Sequence, residues 1–236
     1  VLLDLRSDLV RYLPSQVIPA VIAFFTIPIL TRLLPPAEYG DYRLVLAAVS
    51  VFGAAGSWLA TSIYRFLPEM EMSDRVGEFR GTVHGLLGAT VGLAILLWVV
   101  GLPISTSLIG ISSSYLYLIG GVFMVSIVVW GVANAQVRAV REVGWYNVSV
   151  VLNKALTLGI GVALVIWAGM RVDGLVYGSI AGAALLLPVL LWVVRRHLPA
   201  AGRFNSTLAR QMLRYGMPIA LVQVANWVLQ LSDRFI

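Results

Sequence analysis

The only lysine in this chain of 236 residues is Lys154. It stands nine residues after Trp145 inside a long apolar run, about 13 Å along a helix axis at 1.5 Å per residue. A charge at that depth in a bilayer is costly and marks a functional candidate by default. At 100° per residue, Tyr146, Asn147, Ser149, Asn153, Lys154, Thr157 and Gly161 share one sector of the helix. Val148, Val151, Leu152, Ala155, Leu158 and Val162 occupy the other, with Ile160 the main intruder on the polar side. A cation flanked by amides and hydroxyls can receive an anion and hydrogen-bond to polar groups around it. The alternative is a buried polar network that only ties helices together. Either way, this helix face turns away from lipid.

Other charged residues offer less. Arg65 falls near the end of the second apolar run, where it either anchors the helix by reaching the interface or lines a cavity. Asp233 and Arg234 are adjacent near the end of the seventh run and can pair locally or with another helix. The histidines, His84 and His197, lie far apart, and cysteine is absent, so no metal site and no disulfide are expected. Ten of the eleven acids lie in loops or terminal segments. Glu69, Glu71, Asp74 and Glu78 alternate with Arg75 and Arg80, the pattern of a solvated connector rather than of a catalytic acid or metal site. No cofactor is implied.

The elements that must position these residues follow from composition. Hydrophobic residues make up 59% of the chain and charged residues 12%, and mean hydropathy is +0.89. Soluble domains carry about 25% charged residues, so this inventory cannot build a water-facing surface. A bilayer core about 30 Å thick needs about 20 apolar residues per helix. Runs of that kind occupy residues 10–33, 43–67, 81–103, 115–136, 146–168 and 174–194, and a seventh begins near 210 and continues to Ile236. The runs are continuous, not alternating, which excludes a transmembrane barrel. An all-α polytopic membrane protein is expected, without a cleavable signal peptide.

Charge distribution orients it. With the N-terminus cytoplasmic, twelve arginines fall on inner segments and three (Arg32, Arg43 and Arg171) on outer ones. The net charge of +6 then reports topology and not nucleic acid. Residues 31–44, TRLLPPAEYGDYRL, become the first external turn: Pro35 and Pro36 stop a helix, and Gly40 is free to adopt positive φ. Segments 69–80 and 195–209 are expected as cytoplasmic loops, and 104–114 as an external one. Gly174, Gly178 and Gly182 on the sixth span, and Gly53 with Ser57 on the second, mark close helix contacts. Pro14, Pro19 and Pro28 make the first span a candidate for bending.

An internal echo extends the pattern. RYLPSQV at Arg11 and TRLL around Arg32 are matched by RYGMPIALVQV at Arg214 and SDRFI around Arg234, offset by 203 and 202 residues. The copies stand on the first and seventh spans, six apart in order, so both cross in the same direction, as in transporters built from parallel repeats. Residues 1–198 then form an N-terminal lobe, and 199–236 a linker plus the first helix of a second, truncated lobe.

TRLLPPAEYGDYRL, IYRFLPEM, QVRAVREVGWYN and RYGMPIALVQVANWVLQLSDRFI, in that order, resemble the polysaccharide-biosynthesis flippases. These belong to the multidrug/oligosaccharidyl-lipid/polysaccharide exporter superfamily. The resemblance implies a MATE-like fold of two six-helix lobes that moves lipid-linked oligosaccharide by alternating access. It implies roles for Glu38 and Gly40, beside Arg32 in the external loop, for Arg65, and for the Asp233–Arg234 pair. The cargo would be a polyprenyl-pyrophosphate-linked glycan, met by Lys154, Asn147, Asn153 and Thr157. Membrane lipids and polysaccharide polymerase or ligase machinery are the expected partners, with no nucleic acid. The location would be the cytoplasmic membrane of a prokaryote, since one lysine among 17 basic residues suggests a GC-rich genome. The rivals are a multidrug cation antiporter of the same fold, which calls for acids within the membrane, and a membrane glycosyltransferase, which calls for acids on a loop.

Overall fold

The computed structural model describes residues 11–104 and 114–232, and every regular element among them is an α-helix. Seven helices follow in order: α1 (Pro14–Leu33), α2 (Pro36–Met72), α3 (Val76–Ile104), α4 (Ser114–Ala139), α5 (Val143–Trp167), α6 (Val172–His197) and α7 (Ser206–Ser232). Among the described residues, six helices are long and apolar enough to cross a membrane. Helices are the natural outcome of such runs, because in hydrocarbon every backbone N–H and C=O must find its partner within the segment.

The connections are shorter than the sequence suggests. Residues 31–44 are not a loop: α1 reaches Leu33, and α2 already begins at Pro36, leaving only Leu34 and Pro35 between them. Proline at the first helical position loses no bond, since that N–H has no intrahelical acceptor, and its fixed φ starts the helix. The proline pair therefore places one sharp break and not a long excursion. Gly40 lies within α2, and the only glycine with positive φ among those described is Gly169, at +63° in the α5–α6 turn. Segment 69–80 is likewise mostly helical, broken only at residues 73–75, and the 195–209 connection contracts to residues 198–205. The expected 104–114 loop lies outside the described residues beyond Ile104. α1 stays helical across Pro19 and Pro28.

Two apolar clusters divide the bundle along its length. One, toward the arginine-rich end, joins α2, α3, α4, α6 and α7 through residues such as Ile63, Phe79, Val137, Val194 and Met212. The other, toward the opposite end, joins α1, α2, α3, α4 and α6 through Leu34, Val45, Trp98, Met124 and Val176. No residue of α5 belongs to the buried set of either. Lipid tails are as apolar as leucine, so burial alone does not hold such helices; close steric fit does. α5 is held in that way. A β-carbon at Gly178 would lie 2.5 Å from Gly161 N and 2.7 Å from Thr157 O, and one at Gly182 would lie 2.6 Å from Thr157 Oγ1. The glycine series on α6 therefore brings the two backbones into contact. Gly53 does not act this way, because nothing lies within 4 Å of its β position.

The α6–α7 connection is docked and not loose. Arg80, 6% exposed, donates from Nη1 to Leu198 O at 3.0 Å and also to Pro199 O. This places a cation against the carbonyl end of α6, where the helix dipole favours one. Gly202 N bonds Gly77 O at 2.7 Å, Asn205 N bonds Thr82 Oγ1 at 3.0 Å, and Phe204 lies over Gly85. Residues 198–205 thus form a strap along the first three turns of α3.

Candidate functional site

A cavity of about 290 Å³ opens between α1, α2, α4, α5 and α6. From α5 it takes Asn153, Lys154, Thr157 and Leu158, whose spacing keeps them on one side of the helix. Lys154 is the twelfth of the 25 residues of α5, close to its middle. α2 contributes Tyr39, Tyr42, Arg43 and Leu46, again one helical face. α4 gives Phe123, Ile127 and Trp130, and α6 gives Leu175, Ser179 and Ala183. α1 closes the side with Ile22, Thr26 and Leu30 among others. The cavity is aromatic and aliphatic in most of its wall, with two cations, Lys154 and Arg43, and no carboxylate among its lining residues.

Neither cation is neutralised. Among the described residues, neither Lys154 nor Arg43 has an ion pair or a side-chain hydrogen bond. The Trp130 indole N–H is buried without a hydrogen-bond partner. In a low-dielectric wall, an unpaired cation and an unspent donor both favour an anionic or oxygen-rich guest.

The residues singled out in the sequence separate into groups. Lys154, Asn153 and Thr157 meet in the cavity. Asn147 does not line it; its Nδ2 donates to Arg11 O at 2.5 Å, tying the start of α1 to α5, while its Oδ1 is buried without a partner. Arg65 is away from the cavity and pairs with Glu69 on its own helix at 3.6 Å. Glu38, whose side chain is 16% exposed, forms an ion pair with Arg171 across the α2 and α6 starts. It occupies the first turn of α2, where the helix dipole favours an acid. Arg32 is exposed in the last turn of α1 and outside the cavity, as is Gly40. Asp233 and Arg234 lie outside the described residues.

Sequence reasoning missed Arg43, Tyr39, Tyr42, Trp130 and Ser179. The signal for the α2 group was present: Tyr39, Tyr42, Arg43 and Leu46 follow i, i+3, i+4, i+7 spacing. It was hidden by reading residues 31–44 as a loop, where helical periodicity does not apply.

The helical fold agrees with comparisons to known proteins. The chain matches the family described as polysaccharide biosynthesis protein over residues 8–236. No curated protein matches it. Among solved structures, MATE in complex with MaD5 superposes with a TM-score of 0.67 at 16% identity, covering 91% of this chain and 52% of that one. An outward-facing multidrug resistance MATE family transporter of the MOP superfamily gives 0.63 at 15% identity, covering 91% and 51%. A MOP superfamily transporter from Pyrococcus furiosus, whose binding pocket is described as of reverse polarity, gives 0.63 at 16% identity, covering 91% and 52%. The chain thus spans about half the length of these structures, and at such identities the likeness is one of fold. With a match over nearly its whole length and the helical fold of a MOP superfamily transporter around a cationic cavity, the chain belongs to the polysaccharide biosynthesis protein family.

Proposed function

We propose that this chain forms the cargo-binding part of a flippase that carries a lipid-linked oligosaccharide across the cytoplasmic membrane by alternating access. The observation that carries the reading is the charge of the cavity: two unpaired cations and no carboxylate in its wall. A pyrophosphate cannot cross hydrocarbon unaided, because stripping water from its charges costs far more than any apolar contact returns. Lys154 and Arg43 supply the compensating charge, and Asn153, Thr157 and Tyr39 supply partners for sugar hydroxyls. The polyprenyl tail remains in the bilayer while the head group passes through the cavity.

A cation antiporter would place carboxylates in the same wall, and the lining residues contain none. The polarity therefore supports an anionic cargo over a cationic drug. In this reading residues 1–198 form the first lobe, the arginine-rich end faces the cytoplasm, and Glu38 with Arg171 closes the outer side.

The test is Lys154→Met, which keeps the length of the side chain and removes its charge. A central lysine costs roughly 2.5–3.5 kcal/mol on insertion scales, so the variant is expected to insert at least as well as the parent. Translocation of a lipid-linked oligosaccharide into the outer leaflet of proteoliposomes should fall at least tenfold. Lys154→Arg should keep part of the activity, because charge remains while geometry changes, and Lys154→Glu should keep least. Normal transport by the Met variant at normal protein level would overturn the reading.

A further inference from the structure

A second cationic group lies on the same helices, toward the arginine-rich end. The guanidinium of Arg138, at the end of α4, is surrounded by three tyrosines from three other segments. Its Cζ is 5.3 Å from the ring centre of Tyr12, 5.2 Å from that of Tyr64 and 5.5 Å from that of Tyr146. Tyr12 precedes α1, Tyr64 belongs to α2 and Tyr146 to α5, so the cage draws on the sides that also wall the cavity. Trp130 and Lys154 lie two turns away along α4 and α5, about 12 Å at 1.5 Å per residue.

The chemistry of the cage differs from that of an ion pair. Ring faces attract a guanidinium through their quadrupole without using its N–H groups. Arg138 has no carboxylate partner among the described residues. The nearest acid along the chain, Glu142, is committed to His197 at 2.9 Å. A guanidinium carries five donors in a planar fork. Here most of that fork and the full positive charge are left for an outside ligand. Arg138 and Tyr64 are both exposed, so a ligand can reach them. An arginine held by rings and open at its edge suits bidentate recognition of phosphate oxygens.

We propose that the Arg138 cage is a separate entry site for the pyrophosphate of the cargo, occupied before the head group reaches Lys154 and Arg43. The inference rests on the flippase reading. It adds a second binding station, on the arginine-rich side of the cavity, that the cavity residues do not form.

Purified protein in nanodiscs of neutral phosphatidylcholine, titrated with farnesyl pyrophosphate, tests it. The parent should bind two molecules, Arg138→Gln one and Lys154→Met one. Inorganic pyrophosphate should compete at the Arg138 station, because the fork reads phosphate and not the isoprenoid. Arg138→Lys keeps a cation over the rings, and with it the tie between helices, while losing the fork; its affinity at this station should drop about tenfold. If Arg138→Gln and Arg138→Lys both bind two molecules as tightly as the parent, the cage is a structural brace and the entry site falls. A parent that binds one molecule, lost in Lys154→Met and kept in Arg138→Gln, leaves the flippase reading standing and removes only this site. A parent that binds none overturns both. Failure of inorganic pyrophosphate to compete would overturn the assignment of phosphate as the recognised group.

Discussion

The strap end of this bundle and its cavity side are held by different contacts. At the strap end, α3 is gripped by residues 198–205 through backbone and side-chain hydrogen bonds, and Arg80 is buried against the end of α6. α7 joins the same apolar cluster: Met212 is fully buried, and its carbonyl accepts from Ser62 at 2.9 Å. On the cavity side, α1 presents most of its surface outward, with Phe24 72% and Phe25 56% exposed. α5 packs backbone to backbone on α6 at Gly174, Gly178 and Gly182, and Ser149 adds a buried hydrogen bond to Asn134 of α4 at 2.6 Å. Hydrogen bonds dominate at one end, and close backbone fit dominates at the other. Glycines let α5 and α6 pack without side chains between them, while Asn153, Lys154 and Thr157 of α5 face the cavity.

The difference can be broken most severely at the glycine line. Gly178→Leu would drive a side chain into the α5 backbone, where atoms already lie 2.5–2.7 Å from a β-carbon. Folded protein should be lost, read as the absence of a monodisperse peak in detergent size-exclusion chromatography. Gly159→Leu on α5 meets nothing within 4 Å and should elute as the parent does, which makes the pair a measure of contact and not of helix propensity.

A smaller break is expected at the strap. Gly81→Val places a methyl-bearing carbon against Gly202 O, well inside van der Waals contact. The strap should lift at a cost of about 1–3 kcal/mol, freeing the backbone at Arg203, whose side chain is already exposed, to enter the trypsin active site. Limited digestion should then cut between α6 and α7 faster than in the parent, and unchanged cleavage would show that the strap does not control access there.

Asn205→Ala tests the last contact of the strap. Asn205 Oδ1 accepts from Thr207 N and Leu208 N, both at 3.0 Å, and so caps α7. Its loss should cost about 1 kcal/mol, seen as a modest fall in thermal unfolding temperature. Least of all is expected from Arg65→Gln. Its pair with Glu69 is exposed on both sides, and such pairs contribute at most about 0.5 kcal/mol. A large transport defect in that variant would mean that Arg65 acts on cargo, against the position the structure gives it.

Much of this was legible from residue order alone. Long apolar runs must be helices in hydrocarbon, because no other open segment satisfies its own backbone, so the first six spans followed directly, while the seventh run forms α7, which is not among the described helices long and apolar enough to cross a membrane. The polar face of α5 was legible too, since a helix has one fixed period and Asn153, Lys154 and Thr157 fall together on it. The glycine series on α6 announced a close contact, although not that α5 would be its partner. What residue order could not decide was how each face is turned in the assembled bundle. Arg43 joins Lys154 only because α2 begins at Pro36 and its first turns rotate Tyr39, Tyr42 and Arg43 inward. Asn147 shares the polar sector of α5, yet its amide meets Arg11 O, 136 residues away, in place of the cavity. The strap likewise joins Arg80 to Leu198 across 118 residues. A single helix fixes which of its side chains lie together. Which neighbour they meet depends on steric fit between helices far apart in the chain, and only the tertiary structure settles that.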